Sequence, residues 1–350
     1  MKSIICSILN GLGVDRLFRL LNKKKLLVVM YHGVSRTNYD PIWTQLPERI
    51  FSEHMEYLAA SYKVVSLSRL ISCIRQERPL PERAALITFD DGLRNNYSVA
   101  FPVLKKFSIP ATIFLTADFI GTNKILWFDE LFFLIQKAFE EGYSLKDIGF
   151  MKNASFDDKN MRDNYYLAVE EMKRMSENAR NNSMNLIRTK VDIKTELLLE
   201  DFGILTQEQI VEMDRSGLVE FGLHTATHQI LSTIPQDRWK TELKEPRAQL
   251  SAMIGKDTPG FCYPNGRPET DFNDSHVAYL KECGYSCAFT TESVLYPLEG
   301  DPFRIGRIPA GNDITSDIGF FRLSTSGAIN SFKKIKKKMA TLGLDNGKKI

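Results

Sequence analysis

The chain is poor in the features that staple small secreted folds. Its 350 residues include five cysteines: Cys6, Cys73, Cys262, Cys283 and Cys287. An odd, scattered set excludes a disulfide framework. Cys283 and Cys287 have no second Cys or His pair nearby, which makes a structural zinc site a weak reading. No apolar run reaches the roughly 18–20 residues that span a bilayer, and no internal repeat is visible. A basic stripe is missing too. The formal charge is +3, but residues 333–350 hold seven Lys and one Asp, and the rest carries 39 basic against 42 acidic residues. A mildly acidic body excludes nucleic acid as the partner.

What is present fits a soluble globular protein, with 43% hydrophobic and 25% charged residues. The length allows one α/β barrel with an insertion or two ordinary domains. Residues 1–24 place Ile4, Ile5, Ile8, Leu9 and Leu12 at helical spacing, with Leu17, Leu20 and Leu21 beyond. Asp15, Arg16 and Arg19 follow quickly and no small-residue cleavage site is evident. A helix is expected there rather than a signal peptide, either packed on the domain or lying on a membrane surface. At the other end, residues 321–350 read as a basic tail carrying KKIKKK at Lys333–Lys338. It is either solvated or drawn to an anionic membrane face, at about 1 kcal/mol per Lys.

Between these ends, short apolar runs alternate with helical patterns. The runs are Lys25–Tyr31, Ala84–Phe89, Ala111–Leu115, Val219–Leu223, Gly260–Tyr263, Ala288–Thr291 and Phe303–Ile308. Helical patterns include Phe51–Tyr62, Tyr97–Phe107 and Asp237–Ile254. This rhythm predicts a parallel sheet or closed barrel. It breaks at about 121–201, where an aromatic helix candidate, Trp127–Phe139, leads into a polar, Asn- and Lys-rich stretch. That stretch reads as a helical insertion, whose Trp127, Phe128, Tyr165 and Tyr166 either fill its core or stack on sugar rings.

Three polar clusters fall at the ends of predicted strands, where α/β barrels carry their reactive groups. They are His32–Gly33, Asp90–Asp91–Gly92, and the pair His224 and His228. Four apart, the two histidines share a face if they sit on a helical turn. Two imidazoles and a carboxylate suit Zn²⁺. The adjacent aspartates are costly to bury without a partner or a metal. Asp91 can instead cap a helix starting near Leu93. His54 and His276 lie in polar, helix-like surroundings and are expected at the surface.

The segments ITFDDG (Ile87–Gly92), HTATH (His224–His228) and FCYPNG (Phe261–Gly266) resemble, in this order, the motifs of the polysaccharide deacetylases. This is the NodB-homology group, carbohydrate esterase family four. MYHGV (Met30–Val34), IPATIFLT (Ile109–Thr116) and FRIGRIP (Phe303–Pro309) agree, so the resemblance runs from about residue 25 to 310. It implies an α/β fold, a distorted (β/α) barrel of about seven parallel strands over residues 25–320, with the helical insertion at about 121–201. It implies a divalent metal, usually zinc, held by Asp91, His224 and His228, with Asp90 as general base. Tyr263, Pro264, Asn265 and Gly266 then belong to the substrate groove, with the Tyr263 N–H at the oxyanion. Arg307 orients the base, with Arg304 competing for that role. The family's late Leu-x-His acid is missing, since no His follows Arg307. His32 in MYHGV resembles the acid of a subgroup that includes poly-N-acetylglucosamine deacetylases; the alternative is a structural His. The expected reaction is removal of acetyl groups from N-acetylated sugars of a polysaccharide or of a lipid- or nucleotide-linked precursor. O-deacetylation, or glycan binding on an inactive copy of the fold, are the alternatives. The expected location is cytoplasmic, with peripheral contact at the inner membrane.

Overall fold

The computed structural model describes residues 2–40, 42–151, 154, 156–157 and 160–341. The uninterrupted apolar runs become strands buried on both faces, as a parallel sheet covered by helices requires. They are β1 (Lys25–Tyr31), β2 (Ala84–Phe89), β3 (Ala111–Leu115), β4 (Val219–Leu223), β5 (Gly260–Cys262), β6 (Cys287–Phe289) and β7 (Ile308–Pro309). The first six lie side by side in sequence order, all parallel. β7 pairs in parallel with the free side of β1, and Ile305 bridges to Phe289 of β6. The stretch from Ile305 to Pro309 thus spans the two edge strands and curls the sheet into the expected distorted barrel.

That last stretch is not the continuous strand its composition predicts. Ile305 joins the ladder through Ala288 O at 3.0 Å, but the Arg307 N–H turns to Glu292 O at 2.9 Å. Two-residue strands at Lys63–Val64 and Tyr296–Pro297 extend the sheet. They are too short to leave a periodic signal.

The N-terminal segment forms two helices, α1 (Lys2–Gly11) and α2 (Val14–Leu21), because Gly13 adopts φ 77° between them. α3 (Glu48–Ser61) covers the barrel. The stretch set apart by its sequence holds α4 (Trp127–Glu140), α5 (Met161–Met172) and α6 (Glu177–Arg188). These pack on a core of their own that includes Leu131, Ile135, Phe150, Met172, Met184 and Ile187.

Two expectations are corrected here. His54 and His276 are buried, not exposed. The His54 ring stacks on Phe321 at 3.7 Å, and the His276 Nδ1 accepts from Asn273 N at 3.1 Å in a helix-capping box. The C-terminal segment is also no tail at residue 321. α7 (Ile318–Thr325) buries Phe321 and Leu323, and Arg322 pairs with buried Asp15 at 2.9 Å. Its apolar face has α1 and α3 to pack on, which local sequence does not reveal. Only α8 (Ala328–Thr341) turns basic and exposed, at Lys333, Lys334, Lys336 and Lys338. The remainder of the expected tail, 342–350, lies outside the described residues. No helix among the described residues is long and apolar enough to cross a membrane.

Candidate active site

The carboxyl ends of β1, β2 and β4 meet at one cavity of about 340 Å³. His32, Asp90, Asp91, His224, His228 and Asn265 line it. At the end of β2 the chain turns sharply, with Asp91 at φ 70° and Gly92 at φ 78°. A Cβ on Gly92 would collide with the Leu115 side chain. Glycine is therefore needed there, and Asp91 tolerates the left-handed region better than most residues. The turn separates the aspartates. Asp90 points to the barrel interior and Asp91 to the histidines.

Asp90 is held by Arg307, which is fully buried. Its Nη1 and Nη2 donate to the two Asp90 oxygens at 2.6 and 2.8 Å, and Nη1 also reaches Thr88 Oγ1 at 3.3 Å. Burial alone would raise the Asp90 carboxyl, but the adjacent guanidinium outweighs it and holds Asp90 well below the usual carboxylate range. Asp90 therefore stays ionised as a proton acceptor. Arg304 sits outside, bonded to Asp274 at 2.7 Å and Asp301 at 2.9 Å. Of the two candidate arginines, Arg307 is the one beside Asp90.

Asp91 has a different environment. Both its oxygens are buried and no hydrogen bond reaches them. Two imidazoles face Oδ1 instead, His228 Nε2 at 3.1 Å and His224 Nε2 at 3.6 Å. His224 Nδ1 donates to Cys262 O at 2.8 Å, which leaves the Nε2 lone pair pointing at the site. Burial lowers His224 to about 4, so the ring is neutral, as a ligand must be. An ionised, buried carboxylate with no donor, faced by two imidazole nitrogens, fits a divalent cation. The alternative of Asp91 as a helix cap is excluded, since its oxygens accept from no N–H.

A second trio, Asp90, His224 and Cys262, is equally compact, but its chemistry does not suit a cation. Both Asp90 oxygens are taken by Arg307. The Cys262 thiol, pushed well up by burial, donates to Asp90 Oδ1 at 3.4 Å. A protonated thiol is not a metal ligand.

The histidines do not lie on a helix. His224 directly follows β4, and the loop reaches His228 through left-handed Thr225 (φ 64°) and His228 itself (φ 59°). Buried Glu242 anchors it. Its carboxylate accepts from Thr227 N at 3.2 Å and Thr227 Oγ1 at 2.9 Å, and its backbone oxygen accepts from Ala226 N at 3.0 Å. His32, opposite, has its Nε2 4.0 Å from Asp90 Oδ2 and its ring edge-on to Trp43 at 5.2 Å. Asn96 Nδ2 donates to His32 O at 2.7 Å and fixes the strand end.

The FCYPNG segment is placed differently from expectation. Tyr263 lies below the cavity floor, its ring stacked on Phe272 at 3.7 Å and its hydroxyl donating to Phe303 O at 3.1 Å. Its backbone N–H donates to Phe289 O at 3.1 Å in the barrel ladder, so it has no proton to offer an oxyanion. Pro264 and Gly266 are buried in the turn, where Gly266 takes φ 65°. Within the segment, Asn265 lines the cavity, and its buried Nδ2 has no hydrogen-bond partner.

Trp43 and Arg180 carry no signal in the sequence, whereas Trp127, Phe128, Tyr165 and Tyr166, the aromatic residues offered for stacking on sugar rings, all line the cavity. Trp43 comes from a loop after β1. Trp127, Phe128, Tyr165 and Arg180 come from the insertion and form one wall, with Phe128 packed on His228 at 5.3 Å. Asp129 is buried behind that wall with both oxygens unbonded. Burial, then the charge of Asp91, holds it well above the usual range as a neutral acid.

A family model described as polysaccharide deacetylase matches residues 77–288, more than half of the chain. The match takes in Asp90, Asp91, His224, His228 and the FCYPNG segment but not His32 or Arg307. The poly-beta-1,6-N-acetyl-D-glucosamine N-deacetylase of Staphylococcus epidermidis is 25% identical over 272 residues, 75% of this chain and 67% of that protein. YxkH of Bacillus subtilis (strain 168), whose name places it among the polysaccharide deacetylases, is 37% identical over 98 residues. That alignment covers 28% of this chain and about a third of YxkH, 34%. The solved structure of IcaB from Ammonifex degensii superposes with a TM-score of 0.55 at 20% identity, covering 85% of this chain and 97% of that one. At that identity the likeness speaks to the barrel alone.

Proposed function

The chain belongs to the polysaccharide deacetylase family, and from that premise we propose that it hydrolyses the acetamide of an N-acetylated sugar. The observation that carries the reading is the division of labour between adjacent aspartates. Asp90 is locked and ionised by Arg307, while Asp91 is left without a donor opposite two imidazoles. Asp91, His224 and His228 would hold a divalent cation, with Zn²⁺ favoured by the two-imidazole, one-carboxylate set. Bound there, such an ion supplies Lewis-acid polarisation of the acetyl carbonyl and acidifies water.

The side chains do the proton work. Asp90 accepts a proton from the attacking water as its oxygen bonds to the carbonyl carbon. The C–N bond then breaks, and the nitrogen leaves as an amine only if it is protonated. His32, across the cavity from Asp90, donates that proton; imidazoles are the commonest groups for such transfers. The products are acetate and the free amino sugar. Asn265 Nδ2 is an unpaired donor on the cavity wall and takes the role that the engaged Tyr263 N–H cannot. The deciding experiment is acetate release from N-acetylhexosamine oligomers and from O-acetylated glycans, with chelator and with restored Zn²⁺. Chelator-sensitive acetate from the N-acetylated set is expected. Release from the O-acetylated set alone would replace the amidase reading with an esterase one.

A location at the inner face of a membrane is part of the same proposal. Seven large apolar side chains on α1, α2 and the turn between them stay more than half exposed, including Ile4 at 65%, Leu12 at 75% and Leu21 at 68%. Ile335 of α8 is 54% exposed among the basic residues. Exposed apolar side chains at this density are characteristic of an interfacial helix, and the lysines favour anionic lipid. Flotation with vesicles containing about one-third anionic lipid should carry the protein up. Ile8→Asp/Leu12→Asp should leave it at the bottom; equal recovery of both proteins would remove the membrane from the proposal.

A further inference from the structure

Arg180, on α6, lines the catalytic cavity and is 9% exposed. Its guanidinium lies over the Trp127 ring at 4.8 Å. Its Nε is buried with no hydrogen bond, and no carboxylate of the described residues comes within ion-pair distance of it. Glu177, whose charge acts on Arg180 from beyond ion-pair distance, is exposed and accepts from Gln229 Nε2 at 3.1 Å.

The other charges of this cavity are matched. Asp90 has Arg307, Glu170 has Lys173 at 2.6 Å, and Asp91 faces the imidazoles. A buried guanidinium is otherwise paired with a carboxylate or phosphate, because an unpaired charge is poorly solvated away from water. Arg180 is thus the one cation on this wall without an ion-pair contact among the described residues. The pairing it lacks has to arrive with a ligand. The face of Trp127 keeps the guanidinium plane rigid, which suits bidentate capture of a planar or tetrahedral oxyanion. The neighbouring cavity is also bordered by Trp127 and Arg180. An occupant can therefore continue past the arginine, away from Asp91.

We infer that the substrate is an anionic N-acetylated glycan, with a carboxylate or phosphate beside the acetylated sugar that pairs with Arg180. The inference rests on the deacetylase reading for the acetyl group and on Arg180 alone for the anion. Both a uronic acid in a polysaccharide and the diphosphate of an activated precursor have this chemistry.

The test compares wild type, Arg180→Met and Arg180→Lys on three substrates. These are a neutral N-acetylglucosamine oligomer, an oligomer alternating N-acetylhexosamine with a uronic acid, and a nucleoside-diphosphate N-acetylhexosamine. Wild type is expected to prefer one of the anionic substrates, and which one identifies the source of the charge. Arg180→Met should lower kcat/KM on that substrate by about 10–100-fold, mainly through KM. Arg180→Lys should recover part of the loss, and added salt should weaken only the wild-type preference. The loss on the neutral oligomer should be at least tenfold smaller than that on the preferred anionic substrate. A wild-type preference for the neutral oligomer, or equal losses on all three substrates, overturns the anion site. Calorimetric binding of the same three ligands separates this from failure of the deacetylase reading. With no acetate released from any of them, weaker binding of an anionic ligand by Arg180→Met still supports the site. Equal binding by both proteins rejects it.

Discussion

Asp90 and Arg307 form a pair whose members cannot be changed independently. Replacing Asp90 with Asn removes the proton acceptor and leaves a buried guanidinium facing a neutral amide. Turnover is expected to fall by about 10²–10⁴-fold, the worth of a positioned general base. The fold should lose about 3–5 kcal/mol, the usual cost of stranding one partner of a buried pair. Cation stoichiometry should not change, because the Asp91 set is untouched. Kinetics, denaturant titration and elemental analysis of one preparation check all three. Activity within tenfold of wild type would remove Asp90 from the base role. TFDDG and HTATH made both aspartates and both histidines visible as candidates. The resemblance of FRIGRIP pointed to Arg307 with Arg304 competing, and which side chain reaches Asp90 was decided across 217 residues of sequence.

At the scale of elements, the loop carrying His228 departs most from local expectation. Four-residue spacing predicts a shared helical face, but the segment turns through two left-handed residues and is tied down by Glu242. Cutting that tie in Glu242→Ala leaves the Thr227 hydroxyl and N–H unbonded and frees the loop. Cation affinity should drop by about 10–100-fold, as when other supports of a ligand histidine are lost. Competition against a fluorescent chelator measures it, and an affinity within threefold of wild type would exclude the anchoring role. The insertion belongs to this scale as well. Its first helices were legible from their periodicity, and its aromatic residues were legible as either core or cavity wall, but the delivery of Arg180 to the cavity was not. Aromatic residues in a helix read first as core, and here some serve the core and some the cavity wall.

For the whole molecule, α7 closes over α3 and buries His54 between Phe321 and Tyr31, whose hydroxyl lies 3.2 Å from Nδ1. Burial lowers His54 from its ordinary value to about 3, so the folded protein holds this ring neutral. The unfolded chain takes up a proton near pH ~6.5. The folded-state value is depressed, so the stabilisation is full above that pH and is lost as pH falls toward 3. From pH 7 to 5 the contribution of His54 should shrink by about 2 kcal/mol. Denaturant midpoints at the two pH values measure it, and His54→Gln should show a correspondingly smaller difference. An identical pH dependence in the variant would exclude His54 as the source.

The sequence by itself determined the barrel and the chemistry at its rim. Apolar runs bury as parallel strands wherever helices cover them, and the reactive residue types at their ends are local text. Tertiary structure alone decided the partners. It matched Arg307 with Asp90 and the Cys262 carbonyl with His224. It engaged the Tyr263 N–H in the ladder and left Asn265 facing the cavity. It buried His54 under a helix that read as a tail, and it left Arg180 in the cavity wall without an ion-pair contact among the described residues. Each of these depends on segments distant in sequence removing water from one another. Burial sets the cost of a charge and the availability of a donor, and no local pattern encodes it.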